Sequence, residues 1–177
     1  FMVYNPDGTS AISNKDGNVV EEPLLASTRV RGNVTQQMPK KPFAVKLDKK
    51  SGIFMNDDDP TNDLPAHKRC VLLANWKDRT MMRNAVAFGL ANVFNQTFPN
   101  DGIAWNPSGQ FVELVYNNVH VGTYFLCEQI KIDGNRLDIK EPYDEDDTYS
   151  GNPEDYGYLL ESDDGYHDAR QPPTACY

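Results

Sequence analysis

F-V-E-L-V-Y-N-N-V-H-V-G-T-Y-F-L, residues 111–126, reads as two β-rich runs joined by an asparagine pair. Asparagine tolerates the positive φ that both central positions of a type I′ turn require, so the spacing predicts a two-residue hairpin at Asn117-Asn118. Such a hairpin is antiparallel by construction. Upstream, Cys70 to Ala74 is a short continuous apolar run of the kind a buried strand shows. Asn75-Trp76-Lys77-Asp78 turns the chain, with Asp78 the expected N-cap. A helix then spans about residues 79–95, with Met82, Val86, Leu90 and Val93 on one face at helical spacing. Residues 128–131 continue extended into the turn Asp133-Gly134-Asn135-Arg136. Strands, one helix and more strands, without βαβ alternation, give an α+β class with an antiparallel sheet and one main helix.

Residues 29–50, R-V-R-G-N-V-T-Q-Q-M-P-K-K-P-F-A-V-K-L-D-K-K, carry seven of the basic side chains of a chain whose net charge is −9. Basic charge gathered in an acidic protein points to an anion site, because a one-signed cleft focuses its field on the opposite sign. The competing reading is a solvated hairpin whose lysines guard an edge strand. Within an alternating strand at 43–48, Ala44 and Lys46 share one face and Phe43, Val45 and Leu47 the other.

The remaining chain narrows the possibilities. At 177 residues and 39 % hydrophobic content, it suits one packed domain or one lobe of a larger protein. The acidic balance argues against sequence-independent nucleic-acid binding, which needs cationic surface, and no apolar run is long enough to span a membrane. Cys70, Cys127 and Cys176 are scattered, and the first two read as buried small hydrophobes. His67, His120 and His167 have no zinc-ligand spacing. The acidic stretch 56–63 fails as an EF-hand because Asn62 and Lys68 stand where Gly and Glu are required. Residues 1–27 are turn-rich, with strands expected at 10–13 and 19–20. Residues 141–156 form an acidic loop, and 158–161 a short strand. The chain opens without Met and stops after a Pro-Pro turn, which reads as a piece of a longer polypeptide.

Four blocks in order resemble the spore-coat protein H (CotH) kinase family: residues 31–50, 71–90, 111–139 and 157–163. The resemblance implies the N-terminal lobe of an atypical protein kinase over residues 28–163. The segment 1–27 precedes it, and a polar tail at 164–177 leads to a further lobe. It also implies transfer of phosphate from ATP, with Mg²⁺, to secreted or surface proteins outside the cytoplasm. The family's metal-binding aspartates lie in N-x-D and W-D-F-D segments that this chain lacks, so the catalytic carboxylates are expected beyond Tyr177 and no metal ligand is assigned. Gln36 stands where the family usually has Trp, and Gly89 where its helix often carries an acid. These departures motivate the alternative of a non-catalytic surface adhesion or structural module binding a host or surface protein.

The resemblance assigns the nucleotide to named residues. Lys46 takes the part of the kinase strand lysine that reaches the α/β-phosphates. Arg31-Gly32-Asn33 is the loop that approaches phosphate, through close backbone contact at glycine and a two-pronged guanidinium; the equal alternative is a tight connection with Arg31 in a structural ion pair. Glu128, Gln129 and Ile130 occupy the place of a hinge whose backbone meets the adenine edge. Glu128 alternatively pairs with Lys46 or Lys131. For Arg83-Asn84 the favoured reading is structural, holding the loop 75–78 by side-chain hydrogen bonds.

Overall fold

The structure is a computed structural model, and it describes residues 1–55, 63–98, 105–139 and 157. Two compact units divide the chain, 1–130 and 131–177. The first unit holds six strands: β1 (Ile12–Asn14), β2 (Ala26–Val30), β3 (Phe43–Ile53), β4 (Leu64–Leu73), β5 (Gly109–Tyr116) and β6 (Val119–Glu128). One helix, α1 (Arg83–Thr97), lies between β4 and β5. The strands form a single antiparallel sheet in the order β1-β3-β4-β6-β5, with β2 also on β3. Because β4 occupies one edge of β3, β1 and β2 share the other: β2 pairs residues 43–47 and β1 pairs 51–53. Between them β3 bulges, with four residues from Lys46 to Ser51 set against one residue of β4.

The β5–β6 hairpin turns at Asn117 (φ 50°) and Asn118 (φ 61°), the left-handed pair that a type I′ turn needs. The runs Tyr124 to Cys127 and Cys70 to Leu72 are buried at every residue, as strands covered on both faces must be. One face carries the main core, in which Val45, Leu47, Leu72, Tyr124 and Leu126 pack with Ile12, Ile53 and Leu64. The opposite face carries a small cluster of Val71, Phe125 and Cys127, against which Ala85 and Phe88 of α1 rest. Cys70 and Cys127 are buried, one on each face of the sheet. The second unit, as far as it is described, is a turn at Asp133–Arg136 closed by the Arg136 amide donating to the Asp133 carbonyl (2.8 Å) and bridged between Ile132 and Leu137.

The α+β expectation is corrected by these elements. Six strands and one helix make a mainly antiparallel β fold, and α1 buries no residue completely. The apolar stripe that predicted a helix layer is real in sequence, but Met82, Val86, Leu90 and Val93 are each about half exposed. The hydrophobic residues of α1 that pack on the small sheet cluster are Ala85 and Phe88, off that stripe. The likeness to a kinase N-terminal lobe is not supported either. Such a lobe pairs its strand lysine with a helix carboxylate, and α1, R-N-A-V-A-F-G-L-A-N-V-F-N-Q-T, contains no acid. The helix begins at Arg83, four residues later than expected, because the turn before it is longer. The acidic stretches 56–62 and 141–156, the strand at 158–161, His167 and Cys176 lie outside the described residues.

Candidate functional site

Between β2 and β3 the chain makes an arm, residues 31–42, that ends against the sheet. Its neck is closed by the Arg31 amide donating to the Pro42 carbonyl (3.0 Å). Gly32 turns at φ 91°, a left-handed conformation that strains other residues, and a Cβ there would run into Thr35 Oγ1. A short 3-10 turn, Val34–Gln37, follows, and Lys41 Nζ donates to the Gln36 carbonyl (2.8 Å). Lys40 Nζ donates to the Thr123 carbonyl and stands 4.4 Å from the centre of the Tyr124 ring. Tyr124 Oη donates to the Lys41 carbonyl (2.9 Å). The lysines between the prolines therefore pin the arm to β6; they do not guard a solvated edge.

Opposite the arm, the turn after β4 is held by its own asparagines. Asn75, at φ 47°, donates through Nδ2 to the Met81 carbonyl (2.9 Å), and Asn84 Nδ2 donates to Asn75 Oδ1 (2.8 Å). Asp78 Oδ2 accepts from the Arg83 amide (2.9 Å), while Oδ1 accepts from the amide and hydroxyl of Thr80 and lies 3.6 Å from Arg83 Nε. Asp78 thus caps α1 from five residues upstream; Met82 occupies the N-cap position and makes no side-chain cap bond. The structural reading of Arg83 and Asn84 holds.

The Arg83 amide, then the Thr80 hydrogen bonds and the Arg83 charge, keep the Asp78 carboxyl below its usual range, against a smaller opposing effect of desolvation. A depressed folded-state pKa contributes stability that is present above the unfolded value, near 3.8, and is lost as pH falls through the folded one. Asp78→Ala is therefore expected to lower the thermal midpoint by several degrees at neutral pH. The gap to the parent should narrow as pH falls below the unfolded value near 3.8 and the folded-state carboxylate is in turn protonated. A gap independent of pH would rule out the carboxylate as its source.

The arm and this turn enclose a cleft of about 270 Å³. Arg31, Lys40, Lys77 and Arg83 line it, with Asp78 the acid among the described lining residues. Arg83 is offset by Asp78, and Lys40 is spent on the Thr123 carbonyl, its pKa lowered by burial and partly restored by Glu113. Arg31 and Lys77 make no side-chain hydrogen bond or ion pair among the described residues. Uncompensated cations on both walls suit an anion.

The residues expected to gather at one nucleotide are distributed differently. Arg31 lines the cleft, with Gly32 and Asn33 next to it in the arm. Lys46 is exposed between Ser27 and Arg69 on neighbouring strands, four residues past Pro42 and so roughly 13 Å along the strand direction. Glu128 lies opposite Cys70, which lies opposite Val45, so it faces the side of the sheet away from Lys46. Its Oε2 accepts from the Ser108 amide (3.0 Å) and its own amide donates to the Ser108 carbonyl (3.0 Å), a clamp on the start of β5. Gln129 is half-buried and Ile130 exposed just past the strand end. Among the described residues no three His, Cys, Asp or Glu side chains gather as a metal site. Sequence reading missed Lys40, Trp76 and Lys77; the signal was a tryptophan and a lysine at the tip of a turn after a buried strand.

An antiparallel β domain with a two-walled cationic cleft is the class of protein these observations define. The chain belongs to the CotH kinase protein family, whose model matches residues 28–173. No curated protein matches it alongside the family.

Proposed function

We propose that the chain carries the ATP-facing portion of a CotH-like protein kinase that phosphorylates secreted or surface proteins. The observation that carries this reading is the position of Arg31: inside the family match and on the wall of the cationic cleft, with Gly32 and Asn33 next to it in the arm. Phosphoryl transfer asks a protein mainly for positioning and charge neutralisation. Arg31 offers a planar fork for two phosphate oxygens. Lys46 is the second proposed phosphate contact, and Glu128, Gln129 and Ile130 the backbone proposed to meet the adenine. The described residues suit the phosphates, and among them no ligand set for Mg²⁺ is found. The full-length protein, given Mg²⁺ and ATP labelled in the γ-phosphate, is expected to label a protein substrate, and Lys46→Ala to abolish the incorporation. Undiminished labelling in that variant removes Lys46 from the site.

One observation favours a second reading, a surface adhesion or structural module. Because α1 has no acid, with Gly89 where the family often carries one, Lys46 finds no carboxylate on the helix. Calorimetry of the full-length protein with ATP and Mg²⁺ separates the two, since the module gives no binding heat.

A further inference from the structure

We infer that Lys77, from the turn after β4, is the partner of Arg31 in a subsite for a phosphate chain, and that Lys40 positions the wall from which Arg31 works. The inference rests on the nucleotide reading above and extends it to a wall of the cleft that this reading does not use. A volume of about 270 Å³ falls just below the roughly 300–1,000 Å³ of sites that enclose a drug-sized ligand. The cleft has room for a phosphate chain. Its two uncompensated cations come from separate walls, Arg31 from the arm and Lys77 from the turn, so a ligand with charges spaced along its length satisfies both at once. Each wall is fixed before the ligand arrives. The arm is pinned through Lys40 to Thr123 and through the Lys41 carbonyl to Tyr124, and the turn through Asn84 to Asn75. Walls fixed by such contacts present both cations without a loop having to order on binding. Exposed Trp76, on the same wall as Lys77, stands at the cleft and reports its occupancy.

The test is a titration of the full-length protein with ATP, inorganic triphosphate and citrate, followed by calorimetry and by the part of the tryptophan fluorescence change that Trp76→Phe abolishes. ATP and triphosphate are expected to bind, and Arg31→Ala and Lys77→Ala each to weaken both by about tenfold or more. Lys15→Ala, at an exposed pair with Asp16, should leave both unchanged. Lys40→Met is expected to weaken binding while Arg31 is still present, and to lower the thermal midpoint, as a positioning residue should. If ATP binds and Lys77→Ala binds it like the parent, the subsite is overturned and the nucleotide reading stands. If triphosphate binds through Arg31 and Lys77 but the nucleoside adds nothing and no phosphate is transferred, the subsite stands and the kinase reading falls. Citrate competing as well as triphosphate, or no anion binding at all, overturns the subsite.

Discussion

Tyr124→Ala is expected to cost about 3–5 kcal/mol of folding stability, the range for deleting a buried aromatic ring. Tyr124 is fully buried at the centre of the main core, its ring 6.1 Å from that of Phe43 and directly beside the Lys40 ammonium. Its hydroxyl is the only polar atom of the side chain, and it holds the Lys41 carbonyl (2.9 Å). The alanine variant empties the space between β3 and β6 and releases the arm in one step. Tyr124→Phe separates the two effects: it keeps the ring and removes one hydrogen bond, for about 0.5–1.5 kcal/mol. Urea unfolding measures both. An alanine variant within about 1 kcal/mol of the parent would contradict the packing described, whereas a phenylalanine variant that folds well but binds triphosphate more weakly would tie the arm to the cleft.

The second large effect is expected at Gly109, the first residue of β5. A Cβ there would lie 2.5 Å from Cys127 Cβ, 2.7 Å from the Leu126 carbonyl oxygen and 2.9 Å from Phe125 Cε1. None of these atoms ends a flexible side chain, and all belong to buried residues of β6, so the strand pair itself would have to part. Gly109→Ala is expected to destabilise by about 1–3 kcal/mol, as overpacking of a filled core does. Gly89→Ala is the matched control. It sits mid-helix with nothing within 4 Å of its added Cβ, so the same substitution should stabilise by up to about 1 kcal/mol through helix propensity. Equal effects at the two sites would falsify the close approach at Gly109.

The hairpin of residues 111–126 was legible because asparagine pairs and β-branched alternation are local signals with few competing solutions. The Lys46 face was legible for the same reason: alternation from Phe43 to Leu47 puts Val45 and Leu47 in the core and Lys46 outside. The role of α1 was not legible. Its stripe at Met82, Val86, Leu90 and Val93 has the spacing of a core face, but spacing says nothing of what stands opposite, and in the described residues that face remains exposed. The cleft was half legible. Arg31 and Gly32 could be read as a phosphate loop, but Lys77 comes from a turn 46 residues later in sequence, brought across by the β3–β4 ladder. Long-range pairing of that kind leaves no local mark, and the same register separates Glu128 from Lys46.

The division of β3 between two short strands gives the domain two seams that part separately. β2 seals residues 43–47 beside the cleft, and β1 seals 51–53 at the far end, with the bulge interrupting the ladder between them. A fluctuation that lifts β1 breaks bonds only at its own end of the strand, and need not travel to the neck of the arm. Sub-global opening events are set by such local bonding, so each half carries its own opening free energy. The half beside the cleft can then stay closed while the N-terminal half breathes.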